Sequence, residues 1–149
     1  MNLKHFLLLL VLTSCTTSGE QSTPKLPIVG TWKLISGTIT SNGKSTVTDY
    51  TKGQSFIKII NDTHFAFLLH DLGGGKDGTA VYTSGGGKYE LVADKYTEHL
   101  EYCTDRQWEG HDFSFTITIR DDTLTQQGVE EVASAGVRQM NVEKYVRMK

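Results

Sequence analysis

The chain has 149 residues, of which 15 are basic and 17 acidic, and its formal net charge at pH 7 is −2. This balance provides no basic surface for a polyanion, so nucleic-acid binding is excluded as a function. The length remaining after an N-terminal leader is enough for one domain with its own core, which we expect to be monomeric.

Residues 1–14 have the anatomy of a signal peptide. Lys4 precedes an apolar run at 6–12 that is too short to span a bilayer. The sequence LTSC at 12–15 resembles the lipobox of bacterial lipoproteins. This resemblance implies cleavage before Cys15 and acylation of its thiol, with palmitate as an expected chain. The alternative is an ordinary cleaved signal peptide in which Cys15 is incidental.

A lipid anchor on Cys15 predicts a membrane-tethered protein of the cell envelope. Two or more acyl chains hold a protein firmly on a membrane, whereas one chain holds it marginally. Thr16 stands where an Asp would favour retention at the inner membrane, so we expect the outer membrane, with its periplasmic or surface side left open. With Cys15 acylated, Cys103 has no partner for an intramolecular disulfide.

Residues 16–27 contain both prolines of the chain and very few apolar side chains. Such a segment cannot bury enough surface to order itself, so it is predicted to be a flexible linker. The predicted organisation is therefore a signal peptide at 1–14, a lipidated cysteine and linker at 15–27, and one folded domain at 28–149.

Short β-strand patterns follow one another from residue 28 onward. In residues 113–120 every odd position is apolar, which is typical of a strand with one dry and one wet face. Further strands are predicted at residues 54–60, 63–70, 79–83, 88–93, 95–103, 123–128 and 141–148. The segment 130–139 is weakly patterned and is interpreted as a helical turn or a long loop.

Turn residues at 61–62, 94–95 and 121–122 separate neighbouring strands at hairpin length. Tight hairpins join sequential antiparallel strands, so the pattern predicts an all-β, up-and-down meander of 8–10 strands. A meander of this size is expected to close into a barrel, because an open sheet leaves unpaired edges.

The first and last strands carry a family likeness. Gly30 and Trp32 lie at the start of the first strand, and Arg147 is the third residue counted back from the C-terminus. This arrangement resembles the lipocalins, and more closely the small lipocalin-like domains of bacterial lipoproteins. The resemblance implies that Trp32 closes one end of the barrel beneath Arg147.

The strand at 95–103 places polar chemistry inside the predicted barrel. Tyr96, Glu98, Leu100 and Tyr102 alternate onto one face, which is interpreted as the interior. A buried carboxylate is costly unless it is paired, so Glu98 is either a polar anchor in a ligand cavity or a partly solvated group near the rim.

The candidate lining of that cavity includes aromatic side chains from other strands. Tyr89, Phe113 and Phe115 are predicted to join the four residues of the 95–103 strand. Arg120 and Arg138 are the donors considered for Glu98.

Motifs for metal or nucleotide chemistry are not predicted. His99 and Cys103 lie four residues apart on one strand, about 13 Å, which is too far for them to share a metal without help from another strand. The glycine runs at 73–75 and 85–87 lack the phosphate-loop pattern and are interpreted as flexible hairpin loops, with the option of a lid at the barrel mouth. We therefore expect no metal and no cofactor.

Three functions stay open at this point. The first is a non-enzymatic, lipid-anchored lipocalin-like barrel that binds a small apolar or amphipathic ligand. The second is a structural or protein-interaction lipoprotein with a filled barrel. The third is an enzyme that uses Glu98 with cavity tyrosines for acid–base chemistry. A cavity of about 300 Å³ or more would favour the first or the third.

Overall fold

The structure is a computed structural model that describes residues 26–78 and 80–149. The leader, Cys15 and most of the linker lie outside these residues. The described chain forms nine strands: β1 Gly30–Ser41, β2 Lys44–Asp49, β3 Gln54–Ile60, β4 His64–Asp71, β5 Tyr82–Val92, β6 Lys95–Cys103, β7 His111–Arg120, β8 Thr123–Val132 and β9 Val137–Arg147. Three short 3₁₀ turns lie at Lys76–Gly78, Arg106–Trp108 and Ala133–Ala135.

The strands close into an antiparallel up-and-down barrel, which confirms the predicted fold class. From β3 to β9 each strand pairs with the next, and β1 pairs with both β3 and β9 to complete a ring of eight strands. The remaining strand, β2, pairs only with the C-terminal half of β1, from Ser36 to Ser41. Closure leaves most backbone groups of the ring paired on both sides.

Period-two patterning in the sequence produces the barrel core. Along β7, the odd-numbered residues from 113 to 117 are buried and the even-numbered residues from 112 to 118 are exposed. The large buried side chains include Trp32, Leu34, Tyr96, Ile117 and Tyr145, which come from four strands, β1, β6, β7 and β9. The buried core residues run from Ile28 to Tyr145, and Leu26 packs against them.

Strand direction separates two ends of the barrel. One end holds the start of β1, the end of β9 and the tight turns after β3, β5 and β7; we call it the closed end. The other end holds the connections at 50–53, 72–81, 104–110 and 133–136; we call it the mouth. The glycine run at 73–75 belongs to a mouth loop, as the sequence suggested.

The prediction of a loop at the second glycine run is wrong. Gly85, Gly86 and Gly87 lie inside the continuous strand β5. A Cβ on Gly85 would stand 2.5 Å from Cζ of Phe67, so the glycine makes room for that inward ring. These glycines thus let the neighbouring strands and the Phe67 ring approach the backbone of β5 closely, which is a common reason for Gly within a strand.

A β-bulge explains a second correction. Opposite β6, Gly86 pairs with Tyr102 and Gly87 pairs with Leu100, so Glu101 is an extra residue. Because side chains alternate along a strand, one extra residue reverses the faces that follow it. Tyr102 therefore points outward and is 69% exposed, whereas Cys103 turns toward the interior.

The weakly patterned segment resolves into strand and turn. Strand β8 continues to Val132, a single 3₁₀ turn follows, and β9 begins at Val137. Gly136 adopts a left-handed conformation with φ of 65° and ends the turn. Within residues 26–78 and 80–149, no helix is long and apolar enough to cross a membrane.

Candidate functional site

The barrel interior contains a cavity of about 330 Å³ on the mouth side. Its walls combine aromatic and aliphatic side chains with a few polar and charged ones. The lining residues are Phe56, Lys58, Phe67, Thr83, Glu98, Leu100, Cys103, Asp105, Trp108, Phe113, Phe115, Gln126, Glu130, Glu143 and Tyr145. A volume of this size lies at the lower end of the range for small-molecule sites.

The closed end, in contrast, is packed. The guanidinium carbon of Arg147 lies 4.0 Å from the ring centroid of Trp32. Its two terminal nitrogens donate hydrogen bonds to the carbonyl oxygens of Val29 at 2.9 Å and Pro27 at 2.6 Å. A Cβ on Gly30 would stand 2.6 Å from Nη1 of Arg147, so glycine leaves the space that the guanidinium occupies. The structure therefore brings Gly30, Trp32 and Arg147 together.

A buried ion pair separates the packed half from the hollow half. Nζ of Lys58 donates to Oε1 of Glu98 at 2.7 Å and to Oε1 of Gln126 at 3.1 Å. Lys58 is only 3% exposed and Glu98 only 7%. Nζ of Lys58 also lies 5.4 Å from the ring centroid of Tyr145 and 5.7 Å from that of Phe65, within cation–π range. We call Lys58, Glu98 and Gln126 the polar floor of the cavity.

Burial and pairing shift the pKa values of Lys58 and Glu98 in opposite directions. Burial lowers the pKa of Lys58, but the nearby carboxylates, Glu98 above all, raise it further, so the net pKa is raised. Burial raises the pKa of Glu98, and contact with Lys58 lowers it only part of the way. The first shift favours the ion pair and the second favours a neutral acid. The 2.7 Å contact decides for the ion pair at neutral pH, because a charge-assisted hydrogen bond is strongest with both partners ionised.

Two further carboxylates face the cavity from β8 and β9. Glu130 accepts hydrogen bonds from the amide of Gln139 at Oε2 and from the amide of Asn141 at Oε1, each at 2.9 Å. Glu143 accepts a hydrogen bond from the hydroxyl of Tyr145 at 2.6 Å. Burial raises the pKa of Glu130, which the two amide donors partly offset.

The upper wall of the cavity is apolar. The rings of Phe56 and Phe67 stack with centroids 5.8 Å apart and an interplanar angle of 9°. On the opposite side, Trp108 packs on Phe113 with centroids 5.5 Å apart. Trp108 belongs to the 3₁₀ turn of a mouth loop, which is begun by the carboxylate of Asp105 accepting from the backbone N–H of Gln107. This loop thus carries an aromatic side chain to the rim.

The predicted cavity residues fall into three groups. Glu98, Leu100, Phe113 and Phe115 line the cavity. Tyr89 and Tyr96 lie beneath it in the packed half, with their ring centroids 5.2 Å apart. Tyr89 donates its hydroxyl to the carbonyl of Asn61, in a turn at the closed end. The third group is Tyr102 alone, which the bulge places outside the barrel.

The partner of Glu98 was not found from the sequence. Arg120 and Arg138 were considered, but Arg138 pairs with Glu131 on the outer surface and Arg120 is exposed. The true partner is Lys58, and the sequence does contain a signal for it. Lys58 alternates with Phe56 and Ile60 on β3, so the three side chains share one face of that strand.

Cys103 and His99 do not form a reactive site. Cys103 lines the cavity, and burial raises the pKa of its thiol, which disfavours the nucleophilic thiolate. His99 faces outward, where its Nδ1 lies 2.7 Å from a carboxylate oxygen of Asp112. In the part of the chain that the structure describes, no three His, Cys, Asp or Glu side chains are grouped to hold a metal ion.

No protein-family model matches this chain, and no curated protein sequence matches it significantly. The likeness to lipocalins is therefore one of architecture. The closed eight-stranded antiparallel barrel is compatible with a lipocalin-like fold.

Proposed function

We propose that this protein is a lipid-anchored, lipocalin-like lipoprotein that binds one small apolar or amphipathic molecule at the cell envelope. The observation that carries the proposal is the cavity of about 330 Å³ between the polar floor and the mouth. A cavity with mostly apolar walls and a few convergent polar groups is the usual form of a small-molecule site.

The distribution of packing supports binding over a purely structural role. A barrel that served only as a scaffold would gain stability from filling its interior, since each cavity in a core costs free energy. Here the closed half is filled by large side chains and the mouth half is not. An enzymatic use of Glu98 is the weaker proposal, because Lys58 already holds that carboxylate.

Calorimetric titration with 1-octanol tests ligand binding in the cavity. The protein is the mature chain, residues 15–149, with Cys15→Ser so that it stays unacylated; it contains the whole core. We expect saturable binding that Thr83→Phe weakens about tenfold, the equivalent of two lost methylene contacts. The matched control is Thr118→Phe on the exposed face of β7, which should leave binding unchanged. Equal binding by both variants would place the site elsewhere.

The anchor is tested separately. Metabolic labelling with a palmitate analogue should mark the wild-type chain and leave the Cys15→Ser variant unmarked. Membrane association should be lost with the label, because the proposal holds the protein on the membrane through this lipid alone. Persistent labelling of the variant would refute acylation at Cys15.

A further inference from the structure

The charges that line the cavity do not balance. Lys58 is the one Lys or Arg side chain among the described lining residues, and it is held by Glu98. Glu130, Glu143 and Asp105 also line the cavity. No Lys or Arg within residues 26–78 and 80–149 lies within ion-pair distance of Glu130 or Glu143. The cavity therefore holds more carboxylates than cations.

The protein holds these two carboxylates in place with neutral donors. Both oxygens of Glu130 accept from side-chain amides, those of Gln139 and Asn141, and Glu143 accepts from the hydroxyl of Tyr145. The two amides favour the ionised form of Glu130, against the burial that raises its pKa, and each donor fixes the orientation of the carboxylate that it contacts. These donors do not neutralise the charge of either carboxylate, so a cation that entered the cavity would find oriented carboxylates.

A second, independent feature lies in the layer beneath the cavity. The hydroxyl of Tyr96 is fully buried, and it completes no hydrogen bond of good geometry with any described residue, although Glu98 is its neighbour. Buried polar groups without partners are uncommon and indicate a missing donor or acceptor. Tyr96 thus leaves hydrogen-bonding capacity directly beneath the polar floor, beside Glu98.

The aromatic wall favours the same kind of ligand. The rings of Phe56, Phe67, Trp108 and Phe113 line the upper cavity. Aromatic rings offer a large apolar surface against which the body of an amphipathic ligand can pack. A ligand with a carboxylate would be repelled by the like charges of Glu130 and Glu143. The one lysine of the lining, Lys58, is already paired with Glu98.

We infer that the ligand is an amphipathic cation, a primary ammonium on a short apolar body, with its charged head against Glu130 and Glu143. Its apolar body lies among the rings of Phe56, Phe67 and Trp108. This inference rests on the proposed function, since it specifies the ligand class of the same cavity.

Three probes with one apolar chain separate the inference from the function on which it rests. The mature Cys15→Ser chain is titrated with n-octylammonium, 1-octanol and octanoate at pH 7 and fixed ionic strength. We expect octylammonium to bind at least about tenfold more tightly than octanol, as one hydrogen bond to a charged group allows. Octanoate should bind most weakly.

Isosteric variants then locate the selectivity. Glu130→Gln and Glu143→Gln should each lower the ratio of the octanol to the octylammonium dissociation constant from about tenfold toward one. Glu131→Gln, on the exposed face of β8, is the matched control and should keep the full preference. Because octanol binding is followed in every variant, loss of folding would be recognised.

The outcomes are distinguishable. If octanol or octanoate binds as tightly as octylammonium, the ligand class is wrong and the proposed cavity function stands. If a preference exists but survives both glutamine variants, the assignment of Glu130 and Glu143 is overturned. If none of the three probes binds, the proposed function and this inference fail together.

Discussion

Replacement of Lys58 by Met tests whether the polar floor is a true buried ion pair. Lys58 and Glu98 are 3% and 7% exposed, and Nζ and Oε1 are 2.7 Å apart. Removing one partner of such a pair leaves the other charge uncompensated, which typically costs about 3–5 kcal/mol. Gln126 would also lose its donor, Lys58. The expected loss at pH 7 therefore lies in this range, a large part of a domain's usual stability of about 5–15 kcal/mol.

A double-mutant cycle isolates the interaction between the two charges. Lys58→Met, Glu98→Gln and the double variant are compared by urea unfolding, and the double variant should be more stable than Lys58→Met because no unpaired charge is left. The loss in Lys58→Met should shrink at lower pH, since Glu98 can then be protonated.

The matched control for this cycle is Lys144→Met. Lys144 is exposed on β9, so its replacement should change the free energy of unfolding by less than about 0.5 kcal/mol. The reasoning would be refuted if Lys58→Met cost no more than this control, or if the two single effects simply added in the double variant.

Three further predictions concern closure, packing and pH. Trp32→Ala should cost about 3–5 kcal/mol of unfolding free energy, and its combination with Arg147→Ala should cost less than the sum of the two single losses, since both remove the contact between the two side chains; additive losses would contradict the closure. Gly85→Ala should cost about 1–3 kcal/mol because its Cβ meets an inward ring, whereas Gly73→Ala, in ordinary contact, should unfold like wild type in urea. Burial raises the pKa of Glu130 in the folded state, so its stabilising contribution is complete below the ordinary carboxyl pKa, about 4.3, and is lost as pH rises through the raised value. Wild type should therefore lose stability relative to Glu130→Gln over that interval, and parallel pH–stability curves would count against the shift.

The barrel was predictable because its determinants are local. Alternation along residues 113–119 and the tight turns specify strands and their order, and closure follows from the cost of open edges. Trp32 on the first strand and Arg147 on the last meet in the structure, with the guanidinium carbon of Arg147 4.0 Å from the ring centroid of Trp32.

The polar floor was not predictable, because its partners are brought together only by the closed barrel. Lys58 and Glu98 are 40 residues apart in sequence, and Gln126 is 68 residues from Lys58. Alternation on β3 marks Lys58 as inward-facing, but it does not say which carboxylate lies opposite it.

The outward orientation of the Tyr102 side chain was not predictable for a different reason. Its face depends on one extra residue, Glu101, opposite the boundary between Gly86 and Gly87. A strict alternation pattern cannot reveal a bulge, and the sequence predicts a loop at Gly86 and Gly87 rather than a strand. Their packing role becomes visible only when β4 and β6 lie on either side of them.

Methyl-resolved NMR during titration of the mature Cys15→Ser chain with 1-octanol tests the central claim most directly. Leu100 lines the cavity, Leu124 is buried in the packed half, and Leu68 is exposed on the outer face. If the mouth half is the ligand site, the Leu100 methyl signals shift in a saturable manner while those of Leu124 and Leu68 stay nearly constant. Saturable shifts at Leu68 with an unmoved Leu100 would contradict the account.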